Sequence, residues 1–277
     1  MSNVTELRKL AETDTSQEIP KEQYGPIITN PPFVFLDGTF NTRDLGLVPD
    51  SPVRAGFIYR SGALTALIDN GKAVMSGKLG IKRVFNVRSL GERQKGPDPE
   101  IEGIENTWHR NARPDSTPDL DKFVSGVGEK GYEDMYLELI DVYSTVWKDI
   151  LKHIRDRPSE PFMYHCTAGR DRTGVISGLL LALAGASPDT ITLDYLLSRI
   201  GTEPVRKHLV AFAMAETHAK SEDQPGFLNL CSLTAASWNA FVNGVQREYG
   251  GFEKFVTEKL GFSAEDVATI KRNLTSS

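Results

Sequence analysis

Only two cysteines, Cys166 and Cys231, occur among 277 residues. Two thiols cannot build the disulfide framework of a small secreted domain, and neither lies in a Cys-x-x-Cys or other closely spaced ligand cluster, so no metal and no cofactor is expected. Long apolar runs are missing as well. The most apolar stretch, Val175 to Leu183, is interrupted by Gly178 and falls far short of the ~20 residues that cross a bilayer, so it reads as a buried helix. Positive charge is not in excess. Lys and Arg total 32 against 37 Asp and Glu, a net charge of −5, which leaves no global electrostatic footprint for nucleic acid or an anionic membrane; an anion site has to be local. Met1 to Pro20 lacks the basic start and apolar core of a signal peptide, which makes the cytoplasm the expected compartment.

What is present is a globular composition, 39% hydrophobic and 25% charged. Residues 1–24 are polar and read as an arm with a short helix around Thr5 to Glu12; residues 25–277 read as one domain, with no repeat and no flexible linker cutting them. FVFLDGTFN after Pro32, VRAGFIYRS, IKRVFNV at Ile81 to Val87, IENTWHR at Ile104 to Arg110 and PFMYHC are strand-like runs. From Tyr136 to Ile154, apolar residues recur at steps of four and three and predict one amphipathic helix packed on the core. Further helices are expected over 188–199, 205–217, 235–249, 252–260 and 263–273, with Ser187 and Ser263 as caps. The expected fold is α/β, a central mainly parallel sheet flanked by helices, with a helical C-terminal half. The irregular segment 111–131 is long enough to suggest a functional loop.

The chemistry concentrates in His165, Cys166, Thr167, Ala168, Gly169, Arg170, Asp171, Arg172, Thr173 and Gly174. A loop that leaves a buried strand and opens a buried helix aims several backbone N–H groups into one concavity, where the helix dipole adds positive potential. That cradle binds an anion, and the same field favours a thiolate over a thiol at Cys166 on its rim. Arg172, six positions on, can hold two phosphate oxygens with its planar fork. Thr173 can hydrogen-bond the sulfur. Thr167, Ala168, Gly169 and Arg170 line the cradle, and His165 reads as a structural support rather than a proton carrier. In-line attack with charge stabilisation is what phosphoryl transfer requires.

HCTAGRDRTG resembles the signature H-C-x5-R-[ST] of the protein tyrosine phosphatase superfamily. Within it the chain is similar to the tyrosine/serine phosphatase group of bacteria and fungi, whose loop usually reads HC-x-AGKDRTG. NTRDLG at Asn41 to Gly46, FIYRSGAL at Phe57 to Leu64 and FNVRSLGER at Phe85 to Arg93 resemble further segments of that group in the same order. The resemblance implies a cysteinyl-phosphate intermediate with Cys166 as nucleophile and Arg172 on phosphate, no metal, and phosphotyrosine as substrate, with phosphoserine or phosphothreonine besides. Arg170 stands where the group usually has Lys, a residue associated with phosphoinositide head groups, so a phosphoinositide substrate is the alternative. Asn86 stands where the group usually has Asp. A phosphate-binding scaffold without turnover is the third reading, and the complete loop argues against it.

For the general acid, Asp171 is favoured, because related phosphatases with Asp immediately before the loop arginine are thought to use it. Asp115 in ARPDSTP resembles the Trp-Pro-Asp acid loop of many tyrosine phosphatases, and Asp119 after Pro118 has an equal claim. Arg43 and Asp44 are read as a mutual pair or a brace of the loop, and Arg60 and Arg88 as candidates for substrate contact at strand ends. Cys231, with no basic neighbour in sequence, reads as a small buried hydrophobe.

Overall fold

A computed structural model describes residues 4–111 and 113–276. Five strands form one sheet: β1 (Arg43–Asp44), β2 (Ile58–Ser61), β3 (Arg83–Asn86), β4 (Glu105–Trp108) and β5 (Phe162–His165), in the order β1-β2-β5-β3-β4. β2, β5, β3 and β4 run parallel, and β1 is an antiparallel edge. The expected mixed fold with a mainly parallel sheet is the fold observed. β5 lies in the middle and is buried throughout, as its unbroken apolar run requires of a strand covered on both faces. Its last residue, His165, is level with Ser61 on one side and Asn86 on the other. Cys166 therefore leaves the sheet at the centre of its carboxyl edge, where open α/β sheets collect their ligands.

The helix Asp171–Ala184 follows directly and is buried nearly all round, from Thr173 to Leu183. The expected single helix between Tyr136 and Ile154 is two, Glu129–Val142 and Ser144–Asp156, broken at Tyr143, whose ψ of 12° interrupts the ladder. The break leaves Tyr136, Ile140, Tyr143, Trp147, Ile150 and Ile154 all buried, so the apolar period survives the kink. FVFLDGTFN forms no strand beyond a single bridge of Phe33 to Arg43. Gly38 at φ +87° and Phe35, 66% exposed, break the alternation a strand needs. Ser187 and Ser263 cap the helices Pro188–Gly201 and Ala264–Thr275 as expected, the latter through a full capping box with Asp266. Of the N-terminal arm, residues 1–3 lie outside the described residues. The rest is no free arm: Leu7, Ala11 and Ile19 are buried in the main core. Among the described residues no helix is long and apolar enough to cross a membrane.

Candidate active site

The loop from Cys166 to Arg170 turns back on itself at Gly169, where φ is +64° and a Cβ would stand 2.5 Å from the Ser61 carbonyl oxygen. Only glycine fits there. The turn sends carbonyl groups outward into the protein, where each finds a donor. The Asn41 side chain donates to Ala168 O at 3.1 Å and Gly169 O at 2.9 Å, and Arg60 Nη2 donates to Gly169 O at 2.8 Å. These donors hold the loop carbonyls to the surrounding protein.

Cys166 is buried, and the Thr173 hydroxyl donates to its sulfur at 3.2 Å. Arg172 is held by a residue that sequence reasoning did not single out. Glu92 grips its Nη1 and Nη2 at 2.5 and 2.7 Å and also accepts from the Thr167 hydroxyl. Glu92 is itself placed by the capping box that Ser89 makes at the start of Leu90–Lys95, with the Ser89 N–H donating to it at 2.8 Å. Burial by itself would push Glu92 up, but the Arg172 guanidinium and its other donors outweigh this and hold the carboxyl far below the ordinary range. The Ser-x-x-Glu spacing in FNVRSLGER is the signal that could have found it: the spacing marks a capping box, although the second duty of the same carboxylate is not written in it.

His165 is fully buried, with Nε2 3.0 Å from Asp98 Oδ2. Asp98 also answers the departure at Asn86. The Asn86 amide donates to Asp98 Oδ2 at 2.6 Å, and Arg88 Nη2 pairs with Asp98 Oδ1 at 2.7 Å, so the carboxylate missing from position 86 is supplied from position 98. Arg88 is thereby buried among protein partners and does not line the cavity that holds Cys166.

Arg43 does not pair with Asp44. Asp44 instead accepts from the N–H groups of Gly46 and Gly56 at 2.8 and 2.6 Å, shaping the turn after β1. Antiparallel pairing sets Arg43 opposite Arg60 on one face, and two like charges fully buried side by side require an anion between them. Asp194, from the helix Pro188–Gly201, supplies it: Arg43 Nε donates to Oδ1 at 2.9 Å and Arg60 Nη1 to Oδ2. Burial pushes Asp194 up, and the two guanidinium groups reverse this and hold it low. Arg60 thus braces the loop from behind and makes no contact with the cavity. Asp194→Asn leaves two buried guanidinium groups without a counter-charge. Its expected cost is roughly 3–5 kcal/mol of stability, read as a lowered urea midpoint at unchanged slope; a loss below about 1 kcal/mol would refute the brace.

Cys166, Thr167, Ala168, Arg170, Asp171 and Arg172 line one cavity of about 180 Å³. Its other walls are largely apolar, including Leu209, Val210 and Ala213 of the helix Arg206–Thr217 together with Leu230 and Leu233. Cys231 also faces this cavity. Its backbone oxygen accepts from Arg170 Nη1 at 2.8 Å, so its basic neighbour arrives through space rather than along the chain. Burial still pushes the Cys231 thiol up to about 11.

The acid candidates flank the loop. Asp171 accepts from Tyr136 Oη at 2.7 Å and from Arg170 Nε at 3.0 Å, which ties the loop to the helix Glu129–Val142. Asp115 approaches Arg172 Nη1 to 3.9 Å and accepts from Tyr143 Oη at 2.7 Å. Burial pushes its carboxyl up against the opposing pull of Arg172. Its Oδ1 is buried without a hydrogen-bond partner among the described residues. Asp119 is exposed and caps the short turn Leu120–Phe123.

A buried thiol receiving a hydroxyl proton at the mouth of a strand–loop–helix cradle, with an arginine six residues on, is the arrangement of phosphatases that work through cysteine. Residues 34–276 match the tyrosine phosphatase family, and the chain belongs to it; it is a phosphoric monoester hydrolase. It is 25% identical over 224 residues to a tyrosine-protein phosphatase of Nostoc commune, covering 80% of this chain and 75% of that one. Similarity to the triple specificity protein phosphatase PtpB of Mycobacterium tuberculosis is 26% over 242 residues, covering 77% and 84%. Among solved structures, the Siw14 catalytic core is 15% identical and covers 76% of this chain and 97% of its own, with a TM-score of 0.36.

Proposed function

We propose that the chain hydrolyses phosphotyrosine through a cysteinyl-phosphate formed on Cys166. The observation that carries the proposal is the Thr173 hydroxyl 3.2 Å from Cys166 Sγ, in one loop with an arginine whose plane Glu92 orients. The sulfur attacks phosphorus as the ester P–O bond breaks, and the electron pair leaves on the tyrosine oxygen, which takes a proton. Arg172 and the loop N–H groups stabilise the charge on the transferring oxygens. Water then attacks phosphorus, the P–S bond breaks, and the Thr173 hydroxyl supports the departing thiolate.

Asp171 was favoured as proton donor on sequence. Its carboxylate already serves as the acceptor that ties Arg170 and Tyr136 together, and we assign the proton to Asp115 instead. Asp115 lies 3.9 Å from the phosphate-binding arginine, burial raises its pKa against the pull of that arginine, and its Oδ1 has no hydrogen-bond partner among the described residues, which leaves that oxygen free to meet the leaving group. As base in the second step it takes the proton from the attacking water.

Arg170, which stands in place of the lysine associated with phosphoinositide head groups, meets Asp171, Leu230 O and Cys231 O. Those partners weigh against the phosphoinositide alternative. A phosphotyrosine peptide and a phosphoinositide assayed side by side for phosphate release test the substrate class; faster turnover of the phosphoinositide would reverse the assignment. A series of aryl phosphates tests the donor. Asp115→Asn is expected to steepen the dependence of kcat/KM on leaving-group pKa and to abolish the basic limb of the pH profile, since activity falls as the donor loses its proton with rising pH. Asp171→Asn is expected to lower all substrates alike; the reverse pattern returns the role to Asp171.

A further inference from the structure

The family match begins at residue 34, and the chain before it carries no chemistry in its sequence. The structure nevertheless brings part of it to the catalytic cavity. The helix Val4–Ala11 buries Leu7 and Ala11 against the core, and residues 13–19 then cross the molecule as a strap. Polar contacts pin it along its length. Arg199 donates to Thr13 O at 3.0 Å and to Gln17 O at 2.6 Å. Arg206 Nη1 donates to Thr15 O at 2.9 Å, and the Ile19 N–H donates to Glu203 Oε1 at 2.9 Å. Glu18 pairs with Arg206 at 3.0 Å and Lys207 at 3.1 Å.

Two consequences follow from where these contacts fall. Thr15 is buried in the wall of the cavity that holds Cys166 and Arg172, and its hydroxyl donates to Cys231 O at 3.2 Å. Arg206 and Lys207 are the first residues of the helix Arg206–Thr217, which supplies the apolar wall of the same cavity. Thr15 therefore occupies the wall directly, and Glu18 with Thr15 O holds the first turn of the facing helix.

We propose that the strap Thr13–Ile19 is a specificity-determining element of the active site. Thr15 limits the room left for the peptide that flanks the phosphorylated ring, and Glu18 holds the first turn of the helix that forms the facing wall. The proposal rests on the cysteine-phosphatase reading of this cavity. The strap touches neither the sulfur nor the phosphate-binding arginine, so it acts on the organic part of the ester and not on the transferring group. In an apolar pocket a change of this size is worth roughly tenfold in discrimination.

The test compares kcat/KM for a phosphotyrosine peptide with that for phenyl phosphate in the full chain. The ratio of the two does not depend on how much of a variant is folded. Thr15→Phe is expected to lower the ratio about tenfold by narrowing the wall. Glu18→Ala, an exposed substitution that keeps the strap sequence in the wall, is expected to raise the ratio at least about threefold by releasing the helix turn. Ratios within about twofold of the wild type for both variants, with the wild type active, overturn the role of the strap alone. A wild-type chain that turns over neither substrate overturns the phosphatase reading, and the proposal falls with it.

Discussion

Cys166→Ser is expected to lower turnover of an aryl phosphate by about 10⁴-fold or more, because an alcohol that does not ionise near neutrality replaces the attacking sulfur. The rest of the cradle is untouched. Gly169 keeps its turn, Asn41 and Arg60 keep its carbonyls tied outward, and Glu92 keeps Arg172 in plane. Inorganic phosphate should therefore bind the variant within about tenfold of the wild type, since the N–H groups and Arg172 that hold it remain. Retention of more than about 1% of the rate would remove Cys166 from the nucleophile role. Alkylation offers an independent check. Burial holds the Cys231 thiol near 11, so at neutral pH iodoacetamide should label Cys166 first, and phosphate should protect it.

Arg172→Lys conserves charge and is nevertheless expected to cost about 10²-fold or more in kcat. The guanidinium meets Glu92 through two nitrogens at 2.5 and 2.7 Å and also lies 3.3 Å from Tyr143 Oη. An ammonium presents one point charge and cannot reproduce a planar, doubly held donor. The loss should fall mainly on kcat, because planar donors matter most to the flattened phosphoryl group of the transition state. Activity should be indifferent to EDTA. A lysine variant within about threefold of the wild type, or an enzyme silenced by chelator and restored by added metal, would contradict the mechanism.

Local regularities were legible in the chain. The buried run Phe162–His165, the glycine that only a tight turn accepts, and the apolar helix beginning at Asp171 are written in neighbouring residues, because strand burial, positive φ and helical burial act over a few positions. Cys166, Arg172 and Thr173 come with them, since one continuous loop carries all three. The same locality explains the failures. A strand-like run of residues suggested a strand at FVFLDGTFN, but Phe35 is 66% exposed and the segment stays irregular. Apolar period alone joined the helices Glu129–Val142 and Ser144–Asp156, because a kink at Tyr143 leaves the buried face nearly unchanged.

Charge compensation was a matter for the tertiary structure. Arg43 had Asp44 beside it in sequence, yet its partner is Asp194, 151 residues on, shared with Arg60. Asn86 lacks the expected carboxylate, and Asp98 restores it. Arg172 finds Glu92, and the segment that read as a polar arm sends Thr15 into the wall of the cavity that holds Cys166. A strand, a turn and a helix are chosen by sterics and backbone hydrogen bonds between near neighbours, so the sequence by itself determined the strand–loop–helix unit and the cysteine at its start. A buried charge accepts whichever counter-charge the packing brings within a few ångströms, at any distance along the chain, and only the folded arrangement of sheet, helices and N-terminal strap decided which carboxylates those would be.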